Sequence, residues 1–297
     1  MPTTQLGGCG TALVTPFLAD GSLDESALRG LVRWQLAEGM HMLVPCGSTG
    51  EAVTLTAAEH RRVVEITVEE VNGRVPVIAG AGSNDTTRAI ATSREMRAIG
   101  ASHLLHVTPM YNKPPQRALL AHFRAVADGC DLPIVLYNVP GRTAVNMEAA
   151  TTLQLAQDPR FVAVKEASGS LSQMTTLVRE RPAGFSVLSG DDGYTLALMA
   201  HGGDGIISVV SNVAPSLMVR LCEAMRRGDL AAARTLDAAL APLIDACFVE
   251  SNPIPAKAML AMMGRVQDRV RLPLVPLAAS WRARVRGVLE HAGLLAS

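Results

Sequence analysis

Phe161-Val162-Ala163-Val164-Lys165-Glu166-Ala167 is an apolar run that ends in a charge, and Lys165 is the residue of this chain best suited to covalent chemistry. Strand side chains alternate between faces, so Ala163 and Lys165 share one face while Val162 and Val164 take the other. An amine held there loses hydration. Its neutral form gains ground, and a neutral lysine is the nucleophile that makes Schiff bases with carbonyl substrates. The bland alternative is a strand-end lysine whose charge snorkels to water.

Other polar residues of catalytic type gather after similar apolar runs. Gly47-Ser48-Thr49-Gly50-Glu51 sets two hydroxyls between glycines that let backbone N–H groups approach an anion, although an ordinary turn with a helix cap has the same look. Two of the three tyrosines stand at such ends, in Thr108-Pro109-Met110-Tyr111-Asn112 and in Tyr137-Asn138-Val139-Pro140-Gly141-Arg142-Thr143. A phenol there relays a proton between a substrate oxygen and a neighbouring hydroxyl, or packs as an aromatic with a wet tip. Arg142 offers a planar fork of donors that suits a carboxylate or a surface ion pair. Asp191 and Asp192 resemble a metal pair only superficially. With no histidine or third carboxylate at ligand spacing, helix N-capping is expected of them and no metal is called for. The seven histidines are scattered, without a triad arrangement.

These side chains need a scaffold that brings strand ends together. Apolar, β-branched runs ending in turn residues begin at residues 10, 42, 75, 103, 133, 161, 185 and 205, with helical patterns such as DESALRGLVRWQLAEG between most of them. Strand then helix, eight times, predicts a closed (β/α)8 barrel of the TIM type, whose chemistry sits at the C-terminal strand ends. Continuously apolar strands fit a parallel sheet covered on both faces. An open doubly wound sheet is the rival, disfavoured because no Gly-x-Gly-x-x-Gly follows the first strand. After Asn212 only helical patterns remain, at 215–227, 229–249, 254–263 and 278–291. The expected division is a barrel over 1–226 and a C-terminal helical region over 227–297.

Composition narrows the function class. The 297 residues suffice for one large domain. Hydrophobic residues make up 48%, yet no apolar stretch approaches the roughly 18 to 20 residues of a membrane span. No basic segment precedes an apolar one at the N-terminus, so the expected location is cytoplasmic. Lysine plus arginine and aspartate plus glutamate stand at 27 each, which gives no global field for nucleic acid or an anionic membrane. Five cysteines, an odd number and widely spaced, read as reduced apolar residues. Cys46, beside the glycine turn, is the one with a reactive alternative.

Lysine, a hydroxyl-bearing glycine turn, two tyrosines and an arginine, all at strand ends, describe covalent catalysis on a keto acid. GSTGE at 47–51, TPMYN at 108–112, YNVPGRT at 137–143, KEAS at 165–168 and SGDD at 189–192 resemble, in order and spacing, the dihydrodipicolinate synthase and N-acetylneuraminate lyase family of class I aldolases. The resemblance covers nearly the whole chain. The arginine of YNVPGRT and the segment Asn252-Pro253-Ile254-Pro255-Ala256-Lys257 are similar to the synthase branch more than to the sialic acid lyases.

The resemblance implies a lyase of lysine and diaminopimelate biosynthesis that condenses pyruvate with aspartate semialdehyde, without a cofactor. It implies that Lys165 forms the imine, that Tyr137 shuttles protons through Ser48 and Tyr111, and that Ser48 and Thr49 hold the pyruvate carboxylate. Arg142 would hold the semialdehyde carboxylate, and Gly190 and Ile207 would line the pocket. The tyrosine matching Tyr111 serves a neighbouring subunit in the family, so a homotetramer is expected. A related lyase acting on another aldehyde or on a sugar-derived 2-keto acid is the alternative. A non-catalytic keto-acid-binding barrel is a remoter one.

Two departures stand out. Ser48 replaces the threonine of many synthases, which keeps the hydroxyl and loses a rotamer restraint. At the place where regulated relatives bind inhibitory lysine, Arg88 stands for a glutamate, Met110 for a tyrosine and Ala57 for a histidine, while His60 and Asn84 match. A cation facing a cationic ligand costs both attraction and desolvation, so weak or absent lysine inhibition is expected.

Overall fold

The computed structural model describes residues 5–295. Its eight strands are β1 (Gly8–Ala12), β2 (Met42–Val44), β3 (Ile78–Gly80), β4 (His103–Val107), β5 (Ile134–Asn138), β6 (Phe161–Glu166), β7 (Ser186–Ser189) and β8 (Gly205–Ser208). All pair in parallel, in the order β2-β1-β8-β7-β6-β5-β4-β3. A parallel bridge between Leu43 and Val77 joins β2 to β3 and closes the barrel. Every expected strand is present. Most are shorter than the apolar runs that announce them, because the last residues of each run bend outward into the loops that carry the polar groups.

Helix boundaries follow local chemistry. The Ala57–Val71 helix opens on a capping box, Thr56 with Glu59, and the Thr86–Ile99 helix opens on Asp85 and ends at Gly100, whose φ of 98° suits a residue without Cβ. Interior and exterior of the barrel divide by strand parity. Ala12, Val44, Ile78, Leu105, Val135, Tyr137, Ala163, Leu188 and Ile207 fill the inside. Ile134, Leu136, Val164 and Val187 face outward against helices.

The C-terminal helices, Leu230–Cys247, Ile254–Met262 and Ala279–His291, share one apolar cluster with the barrel: Leu13, Leu43 and Val210 pack in the same core as Leu240, Met259 and Leu289. That cluster lays residues 252–271 across the loops after β1 and β2, where Arg271 contacts Gly21 O and Thr54 O. No described helix is long and apolar enough to cross a membrane. All five cysteines are free and buried, and burial pushes the Cys46 thiol far up, which disfavours the thiolate.

Candidate active site

β5 and β6 pair with Tyr137 opposite Lys165, so the two side chains enter the barrel interior at one level. Lys165 is 4% exposed, and its Nζ lies 4.4 Å from the centre of the Tyr137 ring. Burial lowers the amine to about 8; Asp192 resists this and Arg142 adds to it. Burial raises the phenol of Tyr137, while Arg142 and a hydrogen bond with Ser48 pull it back. The structure thus gathers Lys165, Tyr137, Ser48 and Arg142 at one barrel mouth.

The path of Lys165 depends on Gly190. A Cβ there would stand 3.0 Å from Lys165 Cγ, 3.1 Å from Cε and 2.8 Å from the Ala167 Cβ. The lysine runs through the space that this glycine leaves open. Ile207 is fully buried in the same interior. Next to Lys165 in the chain, the carboxylate of Glu166 accepts from Ser168 N (2.6 Å), Gln173 Nε2 (3.0 Å) and Asn138 Nδ2 (3.1 Å), which anchors the end of β6 to its neighbours.

The Gly47–Glu51 turn leaves backbone donors free. Among the described residues, the N–H groups of Ser48 and Thr49 donate to no protein acceptor, while Gly50 N and Glu51 N close the turn onto Gly47 O and Ser48 O. Thr49 Oγ1 accepts from Asn252 Nδ2 at 2.9 Å, which frees its own proton to be donated. Arg142 Nη2 donates to Asn252 O at 3.2 Å. One residue of the C-terminal segment therefore touches both groups expected to hold carboxylates.

Tyr111 stands apart. It is 88% exposed with φ of 73°, a left-handed conformation uncommon for a bulky residue, and it is outside the buried cluster around Lys165. A cavity of about 590 Å³ opens beside the site, with Ser48 and Tyr137 on its inner wall and Ala57, His60, Asn84, Arg88 and Met110 farther out. Lys165 is not on that wall.

One expectation is corrected by half. Asp191 does cap the short helical turn after β7, accepting from Gly193 N at 3.1 Å. Asp192 does not; it is buried, accepts from Ser208 Oγ and Val209 N, and ties the end of β7 to β8. The sequence reading also gave no role to Glu51, Lys257 or Arg271. Glu51 and Lys257 lie within motifs already singled out, so the motifs were their signal; nothing local marks Arg271.

The likeness extends to whole chains. Residues 5–292 match the model of the dihydrodipicolinate synthetase family. The 4-hydroxy-tetrahydrodipicolinate synthase of Koribacter versatilis is 49% identical over 292 residues, 98% of this chain and 97% of its own. A monomeric dihydrodipicolinate synthase variant superposes with a TM-score of 0.97 at 43% identity, covering 99% of each chain. The chloride-inhibited dihydrodipicolinate synthase of Acinetobacter baumannii, solved in complex with pyruvate, gives 0.96 at 41% identity over 97% of this chain and 99% of that one. With its lysine, its tyrosine and its glycine turn set on a barrel that such relatives share from end to end, the chain belongs to the dihydrodipicolinate synthetase family.

Proposed function

We propose that this protein condenses pyruvate with L-aspartate 4-semialdehyde to 4-hydroxy-tetrahydrodipicolinate, in the pathway to diaminopimelate and lysine. The observation that carries the reading is Lys165, buried at the end of β6 against Tyr137 with its amine lowered to about 8. Its neutral form is thus more abundant at pH 7 than that of an ordinary lysine.

The neutral amine attacks C2 of pyruvate, and water leaves to give a protonated imine. With the cationic nitrogen as electron sink, the Tyr137 relay takes a proton off the methyl carbon, and the electron pair left behind forms an enamine. That carbon attacks the aldehyde carbon of the semialdehyde, whose oxygen takes up a proton. The amine of the semialdehyde then adds at the imine carbon, displaces Lys165 and closes the ring. Tyr137, which shares a cavity wall with Ser48, is suited to carry protons to and from the oxygen that departs as water. The free N–H groups of Ser48 and Thr49, with the Thr49 hydroxyl, are suited to the pyruvate carboxylate, and the Arg142 fork to the carboxylate of the second substrate. Gly190 and Ile207 bound the space around the imine.

A coupled assay with pyruvate, the semialdehyde and a downstream reductase tests this. Lys165→Ala is expected to lose activity by more than about a thousandfold and to gain no mass when reduced with borohydride in the presence of pyruvate. Arg142→Ala is expected to keep pyruvate trapping while the KM for the semialdehyde rises by about ten to a hundredfold. Loss of trapping in Arg142→Ala, or turnover without Lys165, sinks the assignment.

Self-association is part of the proposal. The exposure of Tyr111 and its left-handed backbone support the reading that it completes the proton relay of a neighbouring copy, within a homotetramer. Sedimentation velocity measures the assembly, and Tyr111→Phe is expected to lower kcat while leaving the assembly intact. Five buried, unpaired cysteines suit a reducing cytoplasm.

A further inference from the structure

A second buried lysine lies outside the chemistry just described. Lys257 is fully buried, its Nζ donates to Glu51 Oε1 at 2.6 Å, and it sits 4.2 Å over the ring of Phe17. The other oxygen of Glu51 accepts from Arg271 N at 3.0 Å. Both carboxylate oxygens of Glu51 are thus held by the C-terminal region.

We propose that Lys257 is a positioning residue for the pyruvate carboxylate, acting through Glu51 to hold the Gly47–Glu51 turn in its anion-binding shape. The proposal rests on the reading that this turn receives pyruvate. Three features lead to it. First, Glu51 has φ of 52° and Cys46, at the other side of the turn, has φ of 56°, so two non-glycine residues are in the left-handed region and the turn does not hold this shape unaided. Second, Asn252, on the same C-terminal segment, grips Thr49 inside that turn. Third, a buried ion pair is often no more stabilising than apolar residues of its size, so stability alone is a poor account of why two charges are kept here. A fixed direction for the turn, and cancellation of a carboxylate next to a site for a carboxylate, need both charges.

The test compares pyruvate kinetics of the full-length protein with those of Lys257→Met and of the double variant Glu51→Gln with Lys257→Met, each normalised to sites trapped by borohydride with pyruvate. Lys257→Met leaves Glu51 unneutralised, and the KM for pyruvate is expected to rise about tenfold, with kcat per trapped site within about threefold and the semialdehyde KM unchanged. The double variant buries no charge and is expected to fold even where the single one does not. Its turn is free but no longer repels the substrate, so the pyruvate KM is expected to rise about threefold. A pyruvate KM equal to the parent's in whichever variant folds overturns the proposal, as does a kcat loss with KM unchanged. A parent enzyme that traps no pyruvate refutes the underlying Schiff-base reading instead, which keeps the two failures distinct.

Discussion

Lys165 and Lys257 are both buried, both lie against an aromatic ring, and burial lowers each to about 8. What differs is company. Lys257 donates to a buried carboxylate at 2.6 Å, which opposes the lowering by burial and keeps its nitrogen engaged. Lys165 makes no such bond among the described residues, and Asp192 acts on it only at a distance, from a carboxylate already engaged with Ser208 and Val209. Dehydration alone therefore does not make a lysine a nucleophile. It does so where the dehydrated amine is also denied a partner, and the same chain shows a second lysine to which a partner is supplied.

Stability offers the largest break in this comparison. Lys165→Met removes an unpaired buried charge and is expected to leave the melting temperature unchanged or higher. Lys257→Met leaves the Glu51 carboxylate buried without its cation, held only by the Arg271 N–H, and is expected to cost about 3 to 5 kcal/mol. Thermal unfolding of the two variants side by side checks this, and equal losses would dissolve the distinction.

The effect of pH is next in size. Lys165 must be neutral to attack, so the rate of imine formation with pyruvate is expected to climb through about pH 8 and to level off within about a unit above it. A lysine at its ordinary value would still be gaining rate at pH 10. Stopped-flow trapping across pH 6.5 to 10 separates the two profiles. In stability the sign follows from the same lowering. The folded chain binds fewer protons than the unfolded one between about 8 and 10.5, so the cost of burying this lysine, present in full below 8, is relieved as pH rises through that window.

The smallest expected effect is a null one. Arg88 lines the outer cavity where a cationic inhibitor would need an acid, so submillimolar lysine is expected to leave activity essentially unchanged. Half-maximal inhibition in that range would remove the electrostatic argument. Arg88→Glu should increase sensitivity.

How much of this could be read from sequence depended on how local the cause was. Each barrel strand announced itself as a continuous apolar run, and Lys165 was legible because a charge at the end of such a run contradicts its surroundings. Asp192 was misread because an aspartate after a strand has one local signature for two jobs, capping the next turn and bracing the next strand. Arg271 left no trace at all. Its partners Gly21, Thr54 and Glu59 are more than 200 positions away, and only the folded chain brings them together. The exposure of Tyr111 raises the same difficulty one level up, since on the proposed relay to a neighbouring copy its reason lies outside its own chain.

The ties from Lys257 and Arg271 to Glu51 span 206 and 220 positions of the chain. A ribosome adding roughly 5 to 20 residues per second delivers the turn some 10 to 40 seconds before it delivers the lysine that secures it. The reactive amine of Lys165 is made in between. On the roles proposed above, the barrel strands are all made while the Gly47–Glu51 turn is still unfastened, so a chain truncated before Lys257 is expected to have the nucleophile without a secured grip on pyruvate.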